Sequence, residues 1–307
     1  MPRRGVLAAL LCCPLLLTAC QPAAEAADEH ETVLVAENGM FYSTLAWLDD
    51  GLYYVRTDQT DRFASTGPQA LWRVRPGEAP EPAAVDLCPA PAASVRDIHD
   101  LFPFDGDLGA VVMCASAGGE GGWSILRHDP DTGTVREASS AAPSRWTTWS
   151  SGTLYGNCPG LGLGPMTAEA PPVDCFGADV RWPAALPGGG LVYFTARCGS
   201  TQTGGTVAAD PESATLMLCR RDAGGAETVL LPAVRAPLGV ATQGDRIVLA
   251  GAVDGRRGVW VLDGGSPRLI AAGVYWFVAL APGGATVATT ASARDRARLV
   301  TFAIPPR

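Results

Sequence analysis

Lysine is absent from this 307-residue chain, and all 23 basic residues are arginine. Set beside abundant alanine, 36 Gly and 25 Pro, that absence reads as the bias of a GC-rich genome rather than a functional arginine preference. Positive charge is also in deficit. The formal net charge is -8, which argues against a generic nucleic-acid binder or a protein held electrostatically on anionic lipid. Histidine is scarce, at three residues, and no C-x-x-C pair occurs, so the usual zinc spacings are missing. No G-x-S-x-G elbow supports an α/β hydrolase. There is no P-loop or dinucleotide fingerprint, because the glycine runs 118–122 and 188–190 sit in turn contexts. No long amphipathic helical pattern appears anywhere. Glycine and proline together make up about a fifth of the chain, which suits a turn-rich β protein and stays below the range of low complexity.

What is present begins with an address. Arg3 and Arg4 precede an apolar run, Gly5 to Leu17, interrupted only by Pro14. The run is too short to span a bilayer, which takes about 20 apolar residues. Residues 1–19 therefore read as a secretory signal rather than part of the folded domain. The segment Leu17-Thr18-Ala19-Cys20 resembles the bacterial lipobox. That resemblance implies cleavage before Cys20 and lipid attachment at its thiol and new amino group. The acyl chains, palmitate among them, would anchor the chain to the membrane where a single chain would not. Residues 20–31 are small, polar and acidic, like a flexible tether. Gln21 after the lipidated position resembles lipoproteins sent to the outer membrane of a diderm cell. The implied location is extracytoplasmic, on the cell envelope.

Cysteine use agrees with export. Cys12 and Cys13 leave with the signal, and six remain after Cys20: Cys88, Cys114, Cys158, Cys175, Cys198 and Cys219. An even number in an exported chain points to disulfides, with 15 connectivities open. The simplest pairs neighbours: Cys88–Cys114, Cys158–Cys175 and Cys198–Cys219.

From residue 32 to 307 the chain reads as one all-β domain. An apolar run, a Gly/Asp-rich tight turn and a second apolar run recur at 45–57, 101–116, 146–156, 182–196, 238–252 and 276–291. The turn glycines Gly51, Gly106, Gly152, Gly189, Gly244 and Gly284 recur every 47 residues or so, near the length of a four-stranded propeller blade. Second hairpins at 122–139, 215–232 and 258–272 supply outer strands. The last unit, ending at 297–304, lacks a fourth strand. The run ETVLVAE at 31–37 is assigned as that strand, closing the ring. The segment 156–178 has almost no strand pattern and reads as a long functional loop stapled by Cys158 and Cys175.

These hairpins, with the Asp129–Gly133 turn DPDTG, resemble the TolB-like six-bladed β-propeller superfamily. The resemblance implies six four-stranded blades and no particular activity. It leads to a non-catalytic platform presenting loops to an envelope protein, peptide or glycan, with no nucleic acid and no cofactor. The alternative is a metal-dependent envelope enzyme, lactonase- or lyase-like. Its weak candidate ligands for a divalent metal are Asp97, His99 and Asp100, although none of the ligands of the calcium-dependent lactonases can be matched. The competing reading of those three is a polar inter-blade loop. The eight tryptophans read as packing between blades rather than as a stacking platform for a sugar or aromatic ligand.

Overall fold

The computed structural model describes residues 31–58, 69–88, 94–115, 121–140, 146–158, 162–199, 213–293 and 296–306. The leader, Cys20 and all of the tether but Glu31 lie outside the described residues. Among the described residues no helix is long and apolar enough to cross a membrane.

The chain runs from β1 (Glu31–Asn38) into a first meander: β2 (Met40–Leu48), β3 (Gly51–Asp58), β4 (Gln69–Val74) and the two-residue β5 (Glu81–Pro82). A second follows as β6 (Ser94–Phe104), β7 (Asp107–Ala115), β8 (Gly121–His128) and β9 (Val135–Ser139). The third is short: β10 (Thr147–Ser150), β11 (Thr153–Asn157) and β12 (Leu163–Met166). Then come β13 (Arg181–Leu186), β14 (Gly190–Thr195), β15 (Thr215–Arg221), the long β16 (Glu227–Gln243), β17 (Arg246–Val253), β18 (Arg256–Leu262) and β19 (Arg268–Ala272). The last strands are β20 (Tyr275–Leu280), β21 (Thr286–Ala293) and β22 (Arg296–Ala303).

The sequence decides which strands lie inside. Strand β14, GLVYFT, is buried at every residue, and Leu52, Tyr53, Tyr54 and Val55 of β3 are all essentially inaccessible. A near-continuous apolar run is what a strand covered on both faces requires. Strands further out carry alternating or polar residues, as in VREAS of β9, and are largely exposed. The core passes from sheet to sheet. Tyr53 and Val55 pack on Ile98, Leu108 and Ala110 of the second meander. Phe104 and Ile125 pack on Leu154 and Met166 of the third. Leu163 and Phe176 meet Leu191 and Tyr193. Val192 and Phe194 meet Leu249 and Trp260. Val248 and Val259 meet Tyr275 and Phe302. Ala279 and Leu299 return to Tyr42, Leu52 and Tyr54 at the start. The circuit closes on itself, so the arrangement is all-β and propeller-like.

Strand β1 takes part in that closure. It lies antiparallel on β22, from Glu31 opposite Phe302 to Asn38 opposite Arg296. The last sheet therefore runs β1-β22-β21-β20, joining the two ends of the described chain.

Six separate four-stranded sheets are not what the hydrogen bonds form. Three sheets have four strands, one has three and one has seven. The seven-stranded sheet arises because β16 is a single 17-residue strand: Glu227 to Arg235 pair with β15, and Arg235 to Gln243 pair with β17. The third sheet is short because glycine and proline punctuate the chain after Asn157. Even so, 156–178 is not strandless: β12 forms there, and Leu163 bridges Phe176.

Three disulfides are present: Cys88–Cys114, Cys158–Cys175 and Cys198–Cys219. Each closes a local loop beside one sheet. Cys198 lies just beyond β14 and reaches Cys219 on β15. Cys158 and Cys175 bracket β12. Such bonds fit an oxidising compartment outside the cytoplasm. The DPDTG segment is a β8–β9 turn. The Asp129 carboxylate accepts from the Asp131 amide (2.9 Å) and the Thr132 hydroxyl (2.7 Å), which accounts for it without a metal.

Candidate functional site

The innermost strands of the circuit, β2, β6, β10, β13, the second half of β16 and β20, surround a central cavity of about 350 Å3. Several of these strands are irregular where they meet it. The register shifts between Ser43 and Leu45, Ile98 and Asp100, Arg181 and Ala184, and Trp276 and Val278. Thr44, Trp182 and Phe277 adopt φ of 37°, 46° and 50°. Non-glycine residues rarely enter that region, and a β-branched threonine least of all. A bulge inserts one residue into a strand and re-aims the side chains beside it. Here the bulges recur at one level of the ring, on the strands that line its centre.

Asp100 is the acid of that centre. The bulge after Ile98 brings its carboxylate to two strands distant in sequence. Oδ1 accepts from the Thr44 hydroxyl (3.2 Å), and Oδ2 accepts from the Thr147 amide (3.3 Å). Thr44 is committed in turn, its hydroxyl accepting from the Leu101 amide (2.8 Å). Asp100 is partly open to the cavity, but protein encloses it on its other sides. That loss of solvation pushes its carboxyl up to about 7, against the pull of His99 and of its hydrogen bonds.

The sign of the consequence follows from linkage. The folded chain holds the Asp100 proton up to about 7, whereas the unfolded chain releases it near the ordinary 3.8. Folding therefore takes up a proton between those values, and this group's contribution falls as pH rises through that window. The loss is complete above about pH 7 and amounts to roughly 4 kcal/mol at most, since cavity water screens the charge. Asp100→Asn is expected to flatten the stability–pH curve between about pH 4 and 7. Urea midpoints across that range check this, and equal slopes in the two proteins would refute it.

His99 and Asp97 face elsewhere. The His99 ring lies edge-on to Trp123 (5.8 Å between centroids) and beside Trp146 (5.7 Å), with Nδ1 3.8 Å from Asp97 Oδ2. Asp97 Oδ1 accepts from the Gln69 side-chain amide (3.0 Å). The His99 imidazole, with Gln69, holds the Asp97 carboxyl below its usual range. Among the described residues no three His, Cys, Asp or Glu side chains group as ligands for a metal ion.

Aromatic residues form part of the wall, among threonines and aliphatic residues. Trp47, Trp149, Trp182 and Phe277 contribute to it. Trp149 packs on Phe104 (4.4 Å) and Trp182 on Trp146 (4.7 Å), so each indole is held by a neighbouring ring. Tryptophan is thus divided between two roles. Trp260 is buried packing, as expected for the whole set, while Trp47, Trp149 and Trp182 reach the cavity. Only the topology separates them, since local sequence does not show which strand lies innermost.

No protein-family model and no curated protein sequence matches the chain. Solved structures of the β-propeller type do match in fold. The soluble aldose sugar dehydrogenase from Escherichia coli is 11% identical, with 89% of this chain against 99% of that one and a TM-score of 0.52. A chain of the Mitotic Checkpoint Complex is 12% identical, with 99% against 100% and a TM-score of 0.50. The tricorn protease is 13% identical with a TM-score of 0.50. There, 82% of this chain spans only 24% of the larger protein. Identity this low establishes the shared fold and no activity.

Proposed function

We propose that this chain is an exported, lipid-anchored lipoprotein whose propeller is a non-catalytic binding platform on the cell envelope, with the central cavity as its ligand seat. The observation that carries the reading is the cavity itself: a partly open space of about 350 Å3 whose wall includes aromatic residues and one largely buried carboxyl. That size and lining are those of a small-ligand site.

Six inner strand segments contribute to the wall, and we take the ring as six units of the TolB-like kind. In this reading β16 serves two neighbouring units, as the outer strand of one and the inner strand of the next. Its burial supports this: the first half is largely exposed and the second half, Ala236 to Val240, is buried. Cys20 is the proposed lipid attachment site. Loss of lipid labelling and of membrane recovery in Cys20→Ala is the expected result, and unchanged labelling would overturn the anchor.

The binding reading is tested with the purified protein against small amines, monosaccharides and short peptides, read by melting temperature and tryptophan fluorescence. At a hundredfold excess over Kd, a bound compound adds about 2.7 kcal/mol. The expected outcome is that one class raises the melting temperature and changes an emission that Trp149→Phe diminishes. No shift with any class, or consumption of the compound, would refute a non-catalytic seat.

A further inference from the structure

We infer that the central cavity selects a small organic cation, a protonated amine or quaternary ammonium on an apolar body, with the positive head at Asp100 and the body against the tryptophans. This rests on the cavity being a ligand seat and goes further by naming the ligand's chemistry.

The first argument is charge. All the basic residues of this chain are arginine, yet none among the described residues contributes to the cavity wall. The charged residues that do contribute are Asp100 and Asp105. Asp105 is exposed at the rim, 3.9 Å from Arg127, which leaves Asp100 as the inner charge. An anionic ligand would meet an acid and no counter-ion there. A cation would meet a carboxylate that protein cannot neutralise and water solvates poorly.

The second argument is the aromatic wall. Indole faces present negative quadrupole potential and attract cations, most strongly where water is excluded. Trp149 and Trp182 each pack against another ring, so they are positioned before the ligand arrives.

The third argument weighs against a polyol. A sugar needs many hydrogen-bonding partners, and two of the four wall threonines are committed to protein, which leaves Thr147 Oγ1 and Trp182 Nε1 as buried polar atoms without a partner, too few for a polyol. Thr44 both donates to Asp100 and accepts from Leu101, and Thr242 donates to the Ala185 carbonyl. One acid among rings matches one charged head on an apolar body.

The test compares benzylammonium, benzyl alcohol, benzoate and glucose as probes, by calorimetry and thermal shift at about pH 8, above the Asp100 value. The expected result is benzylammonium bound at least about tenfold more tightly than benzyl alcohol, with no shift from benzoate or glucose. Asp100→Asn should abolish the preference for the cation. Should that variant fold poorly, the wild type supplies the same information: the preference should fade as pH drops below about 7. The groups facing Asp100 are the neutral Thr44 and Thr147 from the neighbouring strands and His99 from its own, so the pH response should survive in His99→Gln. Neutral probes binding as well as the cation would overturn the inference while leaving the ligand seat intact. Binding of no probe of any charge would overturn the inference and the seat together.

Discussion

Reducing all three disulfides is expected to cost about 10 kcal/mol and to leave the chain unfolded at physiological temperature. The bonds join residues 26, 17 and 21 apart. In the chain-entropy account, loops of that length contribute about 3 kcal/mol each. The three loops follow one another without overlapping, so each constrains a different part of the unfolded chain and the contributions add. The total rivals the whole stability of an ordinary domain, about 5–15 kcal/mol. One bond also sits where the sheets are weakest. Cys158–Cys175 holds the three-stranded sheet, whose strands β10 and β12 have four residues each. Cys88 belongs to the core shared by the first two sheets. Urea unfolding with and without reductant measures the effect, and paired Cys→Ala replacements apportion it. A reduced protein with an unchanged midpoint would contradict this.

Removing residues 31–38 is expected to be nearly as severe, costing more than about 5 kcal/mol. The truncation strips the partner from β22 along its length and opens the last sheet to three strands. It also removes Val35 from the core that joins the last sheet to the first. Side-chain partners go with it. Glu37 accepts from the Tyr42 hydroxyl (2.9 Å) and from Arg56 Nε (2.8 Å), and Glu31 accepts from Arg298. Burial and the Glu37 hydrogen bond raise the Tyr42 phenol far above its usual range, so that hydroxyl depends on its acceptor. Circular dichroism and the urea midpoint of the truncated protein test the point. A truncation as stable as the full chain would show that closure by β1 is dispensable.

The parts of this fold that could be read from sequence are those with local signals. Each Gly/Asp turn between two apolar runs became a hairpin, as at Asp49–Gly51 between β2 and β3 and at Asp105–Gly106 between β6 and β7. The disulfides joined neighbours, the simplest of the open pairings. What escaped depends on partners far apart in the chain. Nothing near Glu227–Gln243 says that one strand will serve two ladders. Strand β12 is LGPM, which lacks the β-branched residues that mark strands, and it forms because Cys158, Cys175 and Phe176 hold it in place. At the site, Asp97, His99 and Asp100 look like one cluster because they are adjacent in sequence. A bulge separates them. Asp97 stays with Gln69 and His99, while Asp100 turns to Thr44 and Thr147, 56 and 47 residues away. A bulge leaves no reliable mark in a short apolar run, so the chemistry of the cavity could not be foreseen.

The central claim, a ligand seat at the centre of the ring, is tested most directly by locating a bound compound. A crystal of the oxidised protein, soaked with whichever probe gives the largest thermal shift, should show that compound between Trp149 and Trp182 with its polar head at Asp100. Density for the compound on the outer surface, with the centre holding only water at a saturating concentration, would contradict the claim.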